Sequence, residues 1–445
     1  MLSGWPFFRR KPPLVKDMLE RHLGGPCELA ETVSHTIKPI ERVGLQRHLD
    51  AWLASDKRAQ LIGYAADSFF SNVGMSQLML DDIRVAPVKR QQVEISPDEM
   101  LDCVVRGLYL LHHQGKPACV LLSAPDSRFD APAVEVLAKD RIEAGAIMRS
   151  MNEAMAKDLV YKGRTIFLEE DQQSGQMHVK FQKMQDTSRE SLVLPDALMA
   201  VVERNVLGMI KHADTLRKAG RSTRHGVLLH GPPGTGKTLL LRYLAGMCIG
   251  HTVILLTGRQ ADLVRQSCQV ARMLAPSLVI LEDVDLIATN REESRCPMFL
   301  HDLMDEMDGL GPKADVIFLL TTNRPEVLEP ALAARPGRID QAIEFPLPDD
   351  DCRRRLFALY GQGMDTTSLD MPRWIDKTAG VSPAFIEELL RKSALMAAER
   401  GEASMPLRIT DADVEAALDE LVCFGGELTQ KLLGFKPFGF GRRGV

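Results

Sequence analysis

The chain has 445 residues, a length sufficient for about three domains, with 45% hydrophobic and 26% charged residues and a formal net charge of −5. This acidic balance disfavours a dominant nucleic-acid-binding surface, and no apolar run approaches the ~18 residues that a membrane-spanning helix needs. The eight cysteines form neither a Cys-x-x-Cys pair nor a metal-ligand spacing with histidine, which indicates a reducing compartment, the cytoplasm by default, rather than a disulfide framework.

The first 190 residues contain no catalytic motif, and we interpret them as an accessory or substrate-facing α/β domain. The N-terminus, from Trp5 to Lys11, is basic and aromatic but lacks the apolar core of a signal peptide. We favour a flexible tail there over a peripheral membrane contact. Apolar spacing predicts helices over Leu45–Leu53 and from Met100 to Leu111. His112-His113 is given a surface or core role rather than a metal site, because adjacent side chains on a helix diverge.

Strands are predicted next. Ala118–Leu122 has the composition of a strand, and the alternating segments Arg164–Glu169 and Met177–Gln182 predict a hairpin. A polar linker, Gln185–Glu190, follows. Helical spacing over Leu198–Ile210 then predicts a segment that flanks the adenine pocket of a nucleotide site.

Residues 226–238 carry the strongest chemical signal. A buried parallel strand is predicted at Gly226–His230, and helical spacing of apolar residues follows the loop after it. That loop is a complete G-x-x-x-x-G-K-[ST] motif, formed by Gly231, Pro232, Pro233, Gly234, Thr235, Gly236, Lys237 and Thr238. Glycines let backbone N–H groups bind phosphate oxygens, and the helix N-terminus stabilises the same anion. We therefore predict nucleotide binding, with Lys237 at the β- and γ-phosphates and Thr238 on Mg²⁺.

Two acids follow the apolar run 278–281, which predicts a second buried parallel strand. The carboxyl ends of parallel strands meet at one edge of the sheet, so Glu282 and Asp283 are expected beside the phosphate loop. Glu282 is predicted to hold Mg²⁺ through its water shell. Asp283 is predicted to orient the attacking water.

A third apolar run, 316–320, ends before Asn323, whose amide can hydrogen-bond the γ-phosphate and the lytic water. Further on, Arg335 and Arg338 flank a Pro-Gly turn. Guanidinium groups suit the charge that develops on a transferring phosphoryl group, and such an arginine can be supplied by a neighbouring subunit. We predict catalytic roles for all three residues.

A smaller helical domain is predicted after the edge marked by Pro346–Pro348. Arg353–Tyr360 has helical spacing. Ser382 and Pro383 have the types expected at the N-cap and first position of the next helix. A capping box at Thr410 opens a last helix, predicted through Leu421. The Phe- and Gly-containing tail beyond it is expected to be frayed.

Four ordered motifs, at Gly226–Thr238, Ala275–Ile287, Met304–Leu310 and Thr321–Phe345, resemble the AAA ATPase family, in its classical clade. The resemblance covers roughly residues 190–425. It implies a doubly wound parallel-sheet P-loop domain with a C-terminal helical lid, which binds ATP and Mg²⁺ and works as a homo-oligomeric ring, usually a hexamer, on a protein partner.

The resemblance also implies individual roles. Asn323 matches the first sensor, and Arg335 and Arg338 match fingers that reach the nucleotide of a neighbouring subunit. Asp308-Gly309-Leu310 is similar to an inter-subunit signalling segment. The residues expected to contact the nucleotide are those of the phosphate loop together with Leu239, Gly380 and Ala384.

Two features depart from the family pattern. The family usually has Asp-Glu where this chain has Glu282-Asp283. Because Asp is one methylene shorter than Glu, Asp283 would lie about 1.5 Å farther from the lytic water, and a misplacement of that size can slow a reaction ~10²-fold. We therefore expect either a re-spaced site or slow hydrolysis. The segment Leu256–Asp262 lacks the aromatic pore-loop residue that threading members carry. Both features are similar to the Bcs1-like branch, which translocates folded protein, so threading of an extended polypeptide is not assumed.

From these observations we predict an accessory domain at 1–190, the ATPase large domain at 191–347, its lid at 348–425 and a tail at 426–445. The predicted function is ATP-driven remodelling of a protein partner. The alternative is a nucleotide-gated structural oligomer with little turnover. A DNA-loading ATPase is disfavoured by the net charge, and the sequence contains no His-Glu-x-x-His zinc-protease motif.

Overall fold

The computed structural model describes residues 11–65, 73–123, 132–170, 177–257, 263–286, 303–307, 314–326 and 339–424, together with Gln260 and Leu328. The described chain divides into two compact units. The first contains the residues up to Lys162 and Ile166–Gln182. The second contains Gly163–Thr165 and the residues from Lys183 onward.

The first unit is an antiparallel sheet with helices. Its helices are α1 (Val15–Leu23), α2 (Arg42–Ser55), α3 (Met75–Leu80) and α4 (Arg141–Lys157). Its strands are β1 (Glu31–Thr36), β2 (Gln60–Tyr64), β3 (Val85–Ala86), β4 (Lys89–Ser96), β5 (Glu99–His113), β6 (Lys116–Ser123) and β7 (Ala133–Ala138). The sheet order is β1-β7-β6-β5-β2-β3, and β4 pairs with β5.

The sheet of the first unit is buried on both faces. Tyr109 of β5 and Val120 of β6 lie in one core cluster with residues of α2 and α4. Leu108 and Leu121, which point to the opposite face, lie in a second cluster with residues of α1 and α3. Because successive side chains of a strand alternate between faces, the central strands need apolar residues at nearly every position.

This double burial explains one wrong prediction. Met100–Leu111 was predicted to be a helix, but it lies within the strand β5, which pairs with β6 along its second half. Since both faces are buried in the second half of the segment, that half shows no alternation of polar and apolar residues, and periodicity alone does not distinguish such a strand from a buried helix. The β-branched pair Val104-Val105 and Gly107 were the local signals that favoured a strand.

Other predictions for the first unit are confirmed. A helix covers Leu45–Leu53 and a strand covers Ala118–Leu122. The two strands of the predicted hairpin pair as expected, since β8 (Thr165–Glu170) is antiparallel to β9 (Met177–Phe181); the turn predicted at Gln173-Ser174-Gly175 lies outside the described residues. His112 has a structural role, because its Nδ1 lies 2.8 Å from the Asp56 carboxylate, which also accepts a hydrogen bond from the His112 backbone N–H.

A buried glutamine connects α2 to β5 by hydrogen bonds in the core of this unit. Gln46 on α2 is 2% exposed; its Oε1 accepts a hydrogen bond from the backbone N–H of Val104 at 2.7 Å, and its Nε2 lies 3.2 Å from the Tyr109 hydroxyl. Gln46→Ala leaves that buried N–H without a partner, so we expect a loss of about 1–3 kcal/mol in the free energy of unfolding. Urea denaturation measures it. The exposed Gln92→Ala is the control, and equal stability of the two variants would contradict the assignment.

The second unit is built on a parallel sheet. Its strands are β10 (His225–His230), β11 (Thr252–Thr257), β12 (Ser277–Glu282), β13 (Val316–Thr322) and β14 (Gln341–Glu344), in the order β14-β10-β13-β12-β11. The three apolar runs predicted as strands therefore lie side by side. All four neighbouring pairs are parallel, which confirms the predicted α/β class.

The helices of the second unit form two groups along the chain. Before and within the sheet region lie α5 (Asp196–Glu203), a π-helical turn (Arg204–Gly208), α6 (Met209–Lys211), α7 (Ala213–Lys218), α8 (Lys237–Met247) and α9 (Val264–Met273). After it lie α10 (Asp350–Tyr360), α11 (Met371–Lys377), α12 (Pro383–Glu399) and α13 (Asp411–Asp419) with a π-helical turn (Glu420–Phe424). A short parallel pair, β15 (Met364–Asp365) and β16 (Leu407–Arg408), joins the second group.

The second group has its own apolar core, to which Trp374, Phe385 and Leu389 belong. The predicted caps are present. The Ser382 hydroxyl accepts a hydrogen bond from the Phe385 N–H, and Thr410 forms a capping box with Asp413. The helices predicted over Arg353–Tyr360 and after Thr410 are thus confirmed. Within the described residues, no helix combines the length and the apolar character required to cross a membrane.

Candidate functional site

The loop after β10 has a backbone that only glycine adopts readily. Gly231 has φ +148°, and a Cβ atom there would lie 2.3 Å from the carbonyl oxygen of Phe345. Gly236, with φ +93°, is the N-cap of α8. Since L side chains avoid positive φ, these glycines fix the loop in a shape whose N–H groups can converge on an anion.

Lys237 is the first residue of α8 and is 6% exposed. Its Nζ donates hydrogen bonds to the carbonyl oxygens of Gly231, at 2.7 Å, and Pro232, at 2.8 Å. Burial lowers the pKa of Lys237 to about 8, while the charges of Asp283 and Asp285 oppose that shift. The ammonium group is therefore held inside the loop, where it is poorly solvated and suited to an anionic partner.

Glu282 and Thr238 are brought together. Glu282 is the last residue of β12, and its carboxylate accepts a hydrogen bond from the Thr238 side chain on α8. Burial and the neighbouring Asp283 raise the pKa of Glu282, and the bond from Thr238 partly offsets this. A hydroxyl and a carboxylate oxygen thus lie together at the N-terminus of α8, an oxygen pair of the kind that Mg²⁺ prefers.

Asp283 faces the other way, towards the end of β13. Its Oδ1 accepts a hydrogen bond from Asn323 Nδ2 at 3.2 Å, and its backbone N–H donates to Thr321 Oγ1 at 3.0 Å. Burial and the charge of Asp285 raise the pKa of Asp283, whereas Lys237 and Asn323 lower it. Asp283 has φ +50°, in the left-handed region, where Asp and Asn are tolerated better than other side chains.

The second helical group contacts the phosphate loop directly. The Ala384 N–H donates to the Gly234 carbonyl oxygen at 3.3 Å. A Cβ atom at Gly234, which has φ +73°, would lie 3.0 Å from both Ala384 Cβ and Ser382 Oγ. The N-terminus of α12 is therefore in van der Waals contact with the loop, with Gly380 in the turn before it.

Residues 227–347 match the sequence model of the ATPase family associated with various cellular activities (AAA). The chain carries an AAA ATPase domain. The match begins in β10 and ends after β14, and it includes the phosphate loop, Glu282, Asp283 and Asn323. The AAA family predicted from the motifs is confirmed for this domain, and ATP hydrolysis is the enzymatic class that the match and the relatives support.

Three relatives show how far the similarity extends. An ATP-dependent zinc metalloprotease FtsH 3 from Sphaerobacter thermophilus is 33% identical over 230 residues, covering 49% of this chain and 46% of the relative. A proteasome-activating nucleotidase from Methanopyrus kandleri is 28% identical over 293 residues, covering 62% and 65%. A 26S proteasome regulatory subunit 6B homolog from Encephalitozoon cuniculi is 33% identical over 229 residues, covering 47% and 57%. The chain thus matches less than two thirds of each relative's length.

Several predicted residues lie outside the described part of the AAA domain. They are Arg335 and Arg338, the segment Asp308-Gly309-Leu310, and most of the segment between Leu256 and Asp262. Their roles stay predictions. Five described residues were predicted to act together, and they lie close to one another at the carboxyl edge of the sheet. They are Lys237, Thr238, Glu282, Asp283 and Asn323.

The residues present in the AAA domain fit a magnesium nucleotide. The loop offers a backbone nest with a buried ammonium group, and Thr238 with Glu282 offers oxygen atoms. Among the described residues no group of three or more His, Cys, Asp or Glu could hold a metal ion. Mg²⁺ does not require one, because it is usually bound through one or two protein oxygens, several waters and the phosphates of the substrate.

Sequence reasoning gave no role to Asp285, although the structure places it at the site. Asp285 is 4% exposed and lies next to Thr322 and Asn323. An acidic residue three positions after the strand-end acid Glu282 was a signal that could have been used, since buried carboxylates normally have specific partners. The contact of Phe345 with the phosphate loop was also not predicted. Its carbonyl oxygen leaves no room for a Cβ atom at position 231.

The depressed pKa of Lys237 predicts that nucleotide binding is coupled to proton uptake. In the free domain part of the Lys237 population loses its proton as the pH rises through about 8. Bound phosphate charges raise the pKa again, so each binding event takes up a proton in alkaline buffer. We expect calorimetric titrations with a non-hydrolysable ATP analogue, in buffers of different ionisation enthalpy, to show uptake approaching one proton per site near ~pH 9. Little proton uptake is expected at neutral pH. Equal proton uptake at neutral and at alkaline pH would contradict the assignment.

Proposed function

We propose that the chain is an ATP-hydrolysing homo-oligomeric ring, a hexamer as the family resemblance implies, that couples turnover to remodelling of a protein partner. The observation that carries the proposal is the convergence of five side chains at one edge of the sheet. Lys237 and Thr238 open α8, Glu282 ends β12 with Asp283 directly after it, and Asn323 directly follows β13. Each of these residue types has a separate task in phosphoryl transfer. We therefore interpret their proximity as functional.

In the proposed mechanism each residue has one task. The loop N–H groups and Lys237 bind the phosphates. Thr238 and Glu282 would hold Mg²⁺, which would neutralise phosphate charge. Asp283 accepts a proton from the attacking water and fixes its direction, and Asn323 orients both. Arg335 and Arg338 of a neighbouring subunit stabilise the charge on the transferring group.

The partner is proposed to be a protein. The relatives' names describe an ATP-dependent protease and proteasome-associated proteins, which supports work on polypeptides. The first unit, with its separate core, is the part proposed to contact the partner. A cytoplasmic location is part of this proposal, supported by six described cysteines that are all free and buried.

A nucleotide-gated scaffold is the second candidate. The observation that favours it is the reversed order Glu282-Asp283, because the shorter acid is less able to reach a lytic water. The left-handed backbone at Asp283 favours turnover instead, since it redirects the side chain towards Asn323.

Steady-state phosphate release distinguishes the two. We expect the wild type to turn over ATP, and Arg338→Ala to lower kcat by about 10³-fold, the usual effect of an arginine finger. ATP affinity should change little. Arg354→Ala, an exposed arginine of α10, is the matched control. Wild-type protein that binds ATP without releasing phosphate would favour the scaffold.

A further inference from the structure

Asp285 is a buried charge whose hydrogen bonds have one common target, the turn after β13. Its Oδ1 accepts hydrogen bonds from Thr322 Oγ1 at 2.8 Å and from the backbone N–H of Asn323 at 3.1 Å. The Thr322 hydroxyl in turn accepts from the Arg324 N–H at 3.0 Å. Burying a carboxylate that is 4% exposed and lies near a second carboxylate destabilises the fold. We therefore expect Asp285 to have a role other than packing.

These hydrogen bonds restrict the position of the Asn323 side chain. The backbone of Asn323 is held by Asp285, and its Nδ2 reaches Asp283 at 3.2 Å. The opposite segment is fixed as well, because the N–H groups of Asp283 and Val284 donate to the hydroxyl and the carbonyl oxygen of Thr321, each at 3.0 Å. Asp285 thus connects the segment after β12 to the segment after β13.

We propose that Asp285 is a positioning residue for ATP hydrolysis, which holds Asn323 at the distance from Asp283 that the lytic water requires. The proposal rests on the proposed hydrolytic function. Asp285 accepts its hydrogen bonds from Thr322 and Asn323, and it acts through Asn323. A shift of about 1 Å in such a group can cost ~10²-fold in rate.

Two substitutions separate position from charge. Asp285→Asn keeps an Oδ1 acceptor for both bonds, whereas Asp285→Ala removes it. We expect Asp285→Ala to lower kcat by about 10- to 100-fold with KM and ATP affinity nearly unchanged. Asp285→Asn should restore kcat to within a few-fold of the wild type. Equal damage by both variants, or a parallel loss of nucleotide affinity and kcat, would overturn the proposal.

A double-mutant cycle of Asp285→Ala with Asn323→Ala tests the route of the effect. If Asp285→Ala folds poorly, Asp285→Glu, which displaces the acceptor oxygen by one methylene, takes its place in the cycle. If Asp285 acts through Asn323, its substitution costs little more kcat once Asn323 is absent. Full additivity overturns the inference.

The controls also separate this inference from the function itself. Wild-type protein without phosphate release would overturn the proposed function, and the inference with it. Normal turnover that depends on Asp283 but not on Asp285 would overturn the inference alone.

Discussion

Lys237→Ala is expected to weaken ATP binding by at least about 10²-fold and to remove measurable hydrolysis. Lys237 is the one charged group of the phosphate loop, and each charge-assisted hydrogen bond lost on binding is worth about 1.5–3 kcal/mol. In the free domain its Nζ donates to the carbonyl oxygens of Gly231 and Pro232 and to the Thr235 hydroxyl, which water can satisfy instead. The folded structure should therefore survive the substitution.

Fluorescent-nucleotide titration and thermal unfolding with and without ATP measure this effect. The wild type should gain thermal stability with ATP, because a ligand that binds only the native state stabilises it, and Lys237→Ala should not. Lys218→Ala, an exposed lysine on α7, serves as the control. Tight ATP binding by Lys237→Ala would show that the phosphates are held elsewhere.

Asp283→Asn is expected to abolish turnover while ATP binding remains. Asn is isosteric, tolerates the left-handed backbone at this position and still offers Oδ1 to Asn323. The substitution therefore removes the charge and basicity alone. Loss of a general base typically costs 10²–10⁴-fold in rate, so we expect kcat to fall by about 10³-fold.

Single-turnover and steady-state phosphate release measure the effect of Asp283→Asn. Glu282→Gln, which alters the neighbouring acid, is the informative comparison, since it should also raise the Mg²⁺ concentration needed for half-maximal activity. The ATP-bound Asp283→Asn protein is also predicted to retain its protein partner in a pull-down. Hydrolysis at the wild-type rate would show that another group activates water.

The phosphate loop was predictable because its chemistry fixes residue types at fixed spacing. Gly231 and Lys237 have few alternatives, since a Cβ atom at 231 would collide with Phe345 and no other side chain gives the same reach and charge. The strand-end positions of Glu282 and Asn323 were predictable for a related reason, because buried parallel strands are continuous apolar runs.

Other features depend on tertiary contacts that no local pattern encodes. The strand β5 was predicted as a helix because helices cover both of its faces. The positive φ of Asp283 and the bonds of Asp285 arise only when β12 and β13 lie side by side. The sequence order Glu282-Asp283 predicted either a re-spaced site or slow hydrolysis, and the folded backbone directs the Asp283 side chain towards Asn323.

The central claim is that one subunit holds the nucleotide while a neighbour supplies the arginine, and subunit mixing tests it most directly. Asp283→Asn lacks the base but keeps Arg338, and Arg338→Ala has the reverse defect. In a ring with random neighbours, about a quarter of the sites in an equal mixture combine an intact base with a neighbour's arginine. We predict that each variant alone is nearly inactive and that the mixture recovers about a quarter of the wild-type rate. A mixture no more active than its separate components would contradict the account.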